Sequence, residues 1–475
     1  MRFSPLLTDL YELTMLAGYF EEGMQDRPAV FDLFFRHNPF KGGYAVFAGL
    51  ETALDYLEGL SFAAEELDYL HGLGIFKAEF LTFLEGFRFK GSITAPAEGS
   101  VVFAGEPLLT VEGTLAEAQF VETALLNIIN FQTLVATKAA RIAGAARGAR
   151  VLEFGLRRAQ GPDGGLSVAR AAYIGGVRST SNVLAGKLFG MPVMGTHAHS
   201  WVMAFPDELT AFRSYARHFP DSTVLLIDTY DTLKSGLPNA ITVAAELKAA
   251  GHSLVGVRID SGDLAYLSRQ VRQAMDAAGF PEVKIVASNE LDEYVIDSIR
   301  DEDGRVDIYG VGTRLATCAG EGGGALGGVY KLVRVDGHPK LKVTSDVAKA
   351  TLPDRKKVIR VTTPGGHFVQ DVVTLQDEEI RAGDLVFDPA NPLQHVRIPA
   401  DAAFREVRGQ VMSHGARTLP SPTLSQSADR CAEELRRLPE GCQRLVNPHI
   451  YKVSLSTGLN ELRLEMMAEV QSRFI

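Results

Sequence analysis

The chain has 475 residues, 46% hydrophobic and 22% charged, a balance that excludes disordered and collagen-like classes. At that length two or more packed units are expected. The formal net charge of -10 argues against a general nucleic-acid binder, which needs clustered Lys and Arg, so an anionic ligand would require a locally basic pocket.

Taken from the N terminus, helical patterns are expected over residues 8–22 and 49–58, with β-rich segments near 30–36 and 92–111. Together these read as an α+β unit over residues 1–130. Within it, residues 99–113 are short strands broken by Gly105, Glu106 and Pro107, which predicts a hairpin. From about residue 145 to 335, short β-branched runs alternate with longer amphipathic stretches, the pattern of repeated βα units. Strands are expected at 151–155, 192–196, 224–228, 254–259, 284–288 and 307–312, and 328–335 could add another. Between two of them, Leu264, Leu267, Val271, Met275 and Ala278 recur at helical spacing until Gly279 and Pro281 stop the run. Such units close into a barrel or an open doubly wound sheet, and the strand-end motifs favour a barrel over residues 131–340. Beyond 340 the chain turns polar. Strands at 358–362 and 368–375, a Ser/Pro-rich linker or excursion at 413–427, a charged helix at 428–438 and a last helix at 459–471 make a C-terminal extension, residues 341–475.

No apolar run approaches the roughly 20 residues of a membrane helix, and Met1-Arg2-Phe3-Ser4-Pro5 has no secretory apolar stretch, so a cytoplasmic protein without membrane partners is expected. Cys318, Cys431 and Cys442 lack metal-type pairing and read as reduced, structural thiols.

In a barrel the chemistry sits where strands end. Those ends read Glu153-Phe154-Gly155-Leu156-Arg157-Arg158, Gly195-Thr196-His197-Ala198-His199-Ser200-Trp201, Asp228-Thr229-Tyr230-Asp231, Arg258-Ile259-Asp260-Ser261-Gly262-Asp263, Ser288-Asn289-Glu290 and Gly310-Val311-Gly312-Thr313-Arg314. Arg157 and Arg158 are either a solvated pair or a fork for phosphate oxygens. Asp263 is expected to cap a helix, which leaves Asp260 as the functional carboxylate. The Gly310–Thr313 turn is a common tight turn in isolation, but at the end of a late barrel strand it suits a phosphate. His197 and His199, two apart, would share one face of a strand, yet as a zinc pair they lack a third ligand at fixed spacing.

Read together, Thr8-Asp9-Leu10-Tyr11-Glu12-Leu13-Thr14-Met15, Phe31-Asp32-Leu33-Phe34-Phe35-Arg36, Asn130-Phe131-Gln132-Thr133 with Ala136-Thr137-Lys138, Glu153–Gln160, Thr180-Ser181-Asn182-Val183, Gly195–Ser200, Arg258–Asp263 and Tyr309–Thr313 carry a resemblance over nearly the whole length. The chain resembles the nicotinate phosphoribosyltransferases, a type II phosphoribosyltransferase family. The resemblance implies an α/β fold: an irregular TIM-like α/β barrel packed with an α+β N-terminal domain and a C-terminal extension packing on that domain. It also implies a homodimer with shared active sites, in which Tyr11 of one chain reaches the barrel of the other. Nicotinate would lie between Tyr11 and Phe154, its carboxylate held by Thr180 or Ser181 and by Arg258. Arg157, Arg258 and His199 would lie near the pyrophosphate of phosphoribosyl pyrophosphate, and Asp260 would hold ribose hydroxyls or Mg2+. Gly310, Gly312 and Thr313 would cradle the 5′-phosphate, with Ser288, Asn289 and Lys331 nearby. The family couples transfer to ATP, a co-substrate, through a phosphohistidine that matches His199, while His197 sits at a variable place.

Four rivals stand against this. A nicotinamide user tends to carry an aspartate where this chain has Thr180-Ser181-Asn182, and a quinolinate user carries a denser basic cluster. A barrel aldolase needs a Schiff-base lysine at a strand end, and the six strand ends offer none. A non-catalytic phosphate-binding barrel would not need the whole constellation.

Overall fold

The computed structural model describes residues 3–342, 351–391 and 393–472, and the chain divides into two compact units, Val135–Gly324 and Met1–Leu134 with Ala325–Ile475.

In the Val135–Gly324 unit, five parallel strands lie in the order Arg150–Glu153, Ile308–Val311, Lys284–Ser288, Gly256–Ile259, Val224–Leu226. Single parallel bridges, Glu153 to Thr180 and Thr180 to Val193, extend this ladder past its first strand. The expected strand at 192–196 shrinks to the bridge at Val193, because Pro192 has no N–H to donate and the chain then turns to seat His197. At the opposite edge the Leu226 N–H donates to His197 Nε2 at 3.2 Å, so an imidazole spans the place where a backbone ladder would close the ring. The result is an irregular α/β barrel. Leu152, Val286 and Ile308 pack together with Phe154 and Val224, which fills the space between strands with branched and aromatic side chains.

The helices of this unit follow their patterns. Leu264–Ala277 buries Leu264, Ala265, Ser268, Val271 and Met275, and Asp263 caps it by accepting the Tyr266 N–H at 2.9 Å, as expected. Glu293, at the start of the Glu293–Asp301 helix, is buried between Lys138 (2.5 Å) and Arg141 (2.9 Å), so two cations share one carboxylate. Such a cluster holds only while the charges compensate one another.

The other unit is built mainly on antiparallel pairing, with Phe368–Leu375 and Val453–Leu455 as a parallel pair. Its seven-stranded sheet runs His338–Pro339, Gly328–Val335, Pro28–Phe35, Leu109–Thr114, Ser92–Pro96, Arg408–Ser413, Ala416–Arg417. A six-stranded sheet runs His395–Arg397, Leu385–Phe387, Val453–Leu455, Phe368–Leu375, Lys356–Thr362, Ala403–Glu406.

Three expectations are corrected here. Gly328–Val335 is a strand, but it pairs antiparallel with Pro28–Phe35 and adds nothing to the parallel set. Residues 99–113 form no hairpin: Val101–Val102 pairs with Ala45–Val46, while Leu109–Thr114 lies between Pro28–Phe35 and Ser92–Pro96, so each half finds a distant partner. Nor is 413–427 a loose linker. Ala416–Arg417 is a sheet edge, Arg417 is held by Glu51, Asp55 and Glu58, and a helix begins at Leu424 behind the Thr423 capping box.

Candidate active site

The strand ends of the parallel unit bring one polar network together. Arg258 organises it, donating from Nε to Ser288 Oγ at 2.8 Å, from one terminal nitrogen to Thr196 Oγ1 at 2.9 Å and from the other to Asp260 Oδ1 at 3.0 Å. Ser288 Oγ donates in turn to Asp260. Three adjacent segments are thereby tied by one guanidinium, whose fork geometry suits such multiple contacts.

Arg258 also sits over the ring of Phe154, 5.7 Å from guanidinium carbon to centroid. Gly310 also borders the ring: an added Cβ there would fall 2.6 Å from Phe154 Cε2. Glycine at 310 therefore makes room for the Phe154 ring, a packing reason for glycine that stands beside the phosphate-turn reading. Gly312 precedes the one-turn helix Thr313–Ala316, with Thr313 Oγ1 donating to Glu290 at 3.3 Å. Asn289 and Glu290 both have positive φ, 93° and 44°, a costly pair of conformations for non-glycine residues. Arg157 and Arg158 lie on the turn Leu156–Arg158, exposed.

The two histidines part company. His197 is 7% exposed, and burial lowers its pKa to about 4, so its neutral ring accepts from Leu226 and is a seam in the barrel. His199 begins the short helix His199–Met203 and is half-exposed, so the two rings share no strand face. Its Nδ1 lies 3.1 Å from Thr229 Oγ1 and its Nε2 3.7 Å from Asp260 Oδ2. Among the described residues there is no group of three His, Cys, Asp or Glu side chains suited to a metal.

Two carboxylates not singled out as site residues from the sequence support this network. Asp228 accepts from the Asp260 N–H at 2.8 Å and from Ser261 Oγ at 2.6 Å, and its buried Oδ1 has no hydrogen-bond partner among the described residues. Glu153 is 1% exposed; burial raises its pKa, and it accepts from the Gly155 N–H and from Thr180 Oγ1 at 2.5 Å. Both fall at strand ends, which was the available signal, but a carboxylate's partners cannot be read from one dimension.

Glu153 also decides what Thr180 can do. The Thr180 hydroxyl is fully buried, gives its proton to Glu153 and accepts the Asn182 N–H at 2.9 Å. Ser181, next to it and half-buried, has no such side-chain partner among the described residues. Ser288, 3% exposed, is likewise occupied by Arg258 and Asp260.

Tyr11 and Lys331 lie in the other unit. Tyr11 is 44% exposed on the helix Leu10–Glu21, and partial burial beside Glu12 and Glu122 pushes its hydroxyl up to about 12, so it stays protonated. Lys331 is on the strand Gly328–Val335, opposite Asp32.

Comparison with known proteins agrees along the whole chain. Residues 6–130 match the nicotinate phosphoribosyltransferase N-terminal domain, 149–364 the nicotinate phosphoribosyltransferase family and 355–463 the corresponding C-terminal domain. The chain is 42% identical to a nicotinate phosphoribosyltransferase of Bacillus subtilis, covering 98% of this chain and 96% of that one. It is 36% identical to the human protein of that name, over 96% of each. The crystal structure of human nicotinic acid phosphoribosyltransferase superposes with a TM-score of 0.86 at 34% identity, covering 96% of this chain and 99% of that one. A nicotinate-nucleotide pyrophosphorylase from Pyrococcus furiosus shares the fold, with a TM-score of 0.71 at 23% identity over 90% of this chain and 94% of that one. Matched in all three segments, and by relatives over nearly its full length, the chain belongs to the nicotinate phosphoribosyltransferase family.

Proposed function

We propose that the chain transfers the phosphoribosyl group of phosphoribosyl pyrophosphate to nicotinate, forming nicotinate mononucleotide and pyrophosphate, with ATP hydrolysed alongside, in the salvage route to NAD. The observation that carries this reading is Arg258, held by three partners and laid over the Phe154 ring. A fixed cation beside an aromatic face suits a pyridine that bears a carboxylate. Ser181, the uncommitted hydroxyl of the Thr180–Ser181 pair, completes the carboxylate site. Tyr11 of the partner subunit would cover the ring's other face in a homodimer; its exposure in the single chain supports this.

The C1′–oxygen bond to pyrophosphate breaks as the pyridine nitrogen's lone pair forms the new bond to C1′, so no general base is needed. Arg157 and Arg258 stabilise the departing pyrophosphate, and Asp260 steadies the ribose hydroxyls as positive charge develops on the sugar. Gly310, Gly312, Thr313 and Asn289 frame the 5′-phosphate, with Ser288 acting through Arg258. The orphaned Asp228 Oδ1 beside Asp260 fits Mg2+, which takes one or two carboxylates and fills its shell with water and substrate oxygens. Bound there, it would supply positive charge to the pyrophosphate.

His199 is the residue for ATP coupling. With Nδ1–H donating to Thr229, the Nε2 lone pair is free to accept the γ-phosphoryl group, breaking its bond to ADP; water later releases phosphate. Against nicotinamide as substrate, Asn182 is buried and caps the next helix through Ala185 N–H, so no carboxylate of the 180–182 segment faces the site. No described helix is long and apolar enough to cross a membrane, which is compatible with work in the cytoplasm.

The test is to incubate purified protein with phosphoribosyl pyrophosphate, Mg2+ and nicotinate, nicotinamide or quinolinate in turn, with and without ATP. Nicotinate mononucleotide is the expected product, and nicotinamide mononucleotide as the favoured product would overturn the assignment. Label from the γ-phosphate of ATP should appear on the wild type and be absent from His199→Ala.

A further inference from the structure

We infer that a cavity in the unit formed by Met1–Leu134 and Ala325–Ile475 binds an organic anion: a flat apolar body carrying one sulfonate, phosphate or carboxylate. The cavity holds about 410 Å3, within the roughly 300–1,000 Å3 usual for small-molecule sites. All its lining residues belong to this unit, and none of them is a residue of the strand-end network.

Its wall combines apolar surface with an excess of positive charge. Phe34, Val333 and Val386 supply the apolar part. Four cations, Arg36, Lys356, Lys452 and Arg463, face two carboxylates, Asp32 and Asp388. Both carboxylates are engaged: Asp32 pairs with Lys356 at 2.9 Å, and Asp388 accepts the Ala390 N–H at 2.7 Å. Arg463, 2% exposed, donates to the Pro389 carbonyl at 2.8 Å. Arg36 is half-buried over the Phe34 ring, 5.7 Å from guanidinium carbon to centroid, and among the described residues neither it nor Lys452 forms an ion pair.

Collecting cations in a partly desolvated cavity is unfavourable unless an anion joins them, and in a chain of net charge -10 it does not arise from general basicity. An arginine stacked on phenylalanine presents its edge to an oxyanion and leaves the ring beside an apolar body. A ligand that uses both features has one charged end and one flat, greasy end.

Calorimetric titration of the full chain with naphthalenesulfonate, and with neutral naphthol as comparator, tests this. Expected is saturable binding of one naphthalenesulfonate per chain, at least about tenfold tighter than naphthol. Arg36→Gln should weaken it about tenfold. Ala390→Trp, which fills the cavity from an exposed rim position, should abolish it while the melting temperature and phosphoribosyl transfer stay as in the wild type. Saturating nicotinate with phosphoribosyl pyrophosphate should leave binding intact. Absence of saturable binding, equal affinity for naphthol, survival in a folded Ala390→Trp protein, or displacement by the two substrates would each overturn the proposal. Because the readout is binding, these outcomes do not depend on which pyridine the enzyme uses.

Discussion

Gly310 and Phe154 should be energetically coupled. An alanine Cβ at 310 would stand 2.6 Å from Phe154 Cε2 and 2.7 Å from Cδ2, while its next neighbour, Ser288 Cβ, is at an ordinary 3.4 Å. The clash is with a side-chain ring and not with backbone, so the ring must shift. Overpacking of this kind costs about 1–3 kcal/mol of stability. A displaced ring also loses its stacking on the pyridine, worth about 0.5–1.5 kcal/mol, which raises KM for nicotinate roughly two- to tenfold. The decisive comparison uses four proteins: wild type, Gly310→Ala, Phe154→Ala and the double variant, each followed by denaturant unfolding and by KM. In the Phe154→Ala background the added methyl has room, so Gly310→Ala should there cost close to nothing. An equal penalty in both backgrounds would refute the coupling of Gly310 to Phe154.

Other consequences can be measured separately. His197 has its pKa lowered to about 4 in the folded chain, against 6.5 for the free side chain, so the unfolded state binds the extra proton between those values. Stability is therefore full above pH 6.5 and falls as pH drops toward 4, by a few kcal/mol in all; His197→Gln should flatten that part of a stability-versus-pH curve, and an unchanged slope would count against the neutral seam. Glu293→Gln leaves Lys138 and Arg141 buried without their shared carboxylate and should cost about 3–5 kcal/mol by unfolding, whereas a loss below 1 kcal/mol would mean solvent reaches the cluster. Ser181→Ala should raise KM for nicotinate with kcat nearly unchanged, because a substrate contact is lost in ground and transition states alike. Thr180→Val should instead lower stability by about 1–3 kcal/mol, since Glu153 and the Asn182 N–H each lose a buried partner; the reverse pattern would exchange the two roles.

Much of this was legible from local signals. Lys284–Ser288 and Phe368–Leu375 begin and end where β-branched runs meet turn residues, and Asp263 caps its helix as Ser-Gly-Asp before an apolar stripe predicts. The strand-end rule gathered Arg258, Asp260, Ser288 and His199 into one network because parallel strands all point the same way. What could not be read was partnership at a distance. The 99–113 segment carries every local mark of a hairpin, yet its strands pair with residues 45–46, 28–35 and 92–96. Gly328–Val335 has the same texture as the parallel strands and differs only in its neighbour. His197 and His199 share a motif but not an environment, and the two environments are set by Leu226 and Thr229, 29 and 30 residues on. Asp228 and Glu153 were visible as strand-end carboxylates, but their work depends on what accepts or donates beside them.

The most direct test of the central claim is kcat/KM for nicotinate mononucleotide synthesis by Arg258→Gln, with the melting transition measured on the same preparation. The account predicts a fold-intact protein whose kcat/KM falls at least about a hundredfold, because one guanidinium both orients the strand-end network and meets the substrates' negative charge. A folded Arg258→Gln enzyme with wild-type kcat/KM would contradict it.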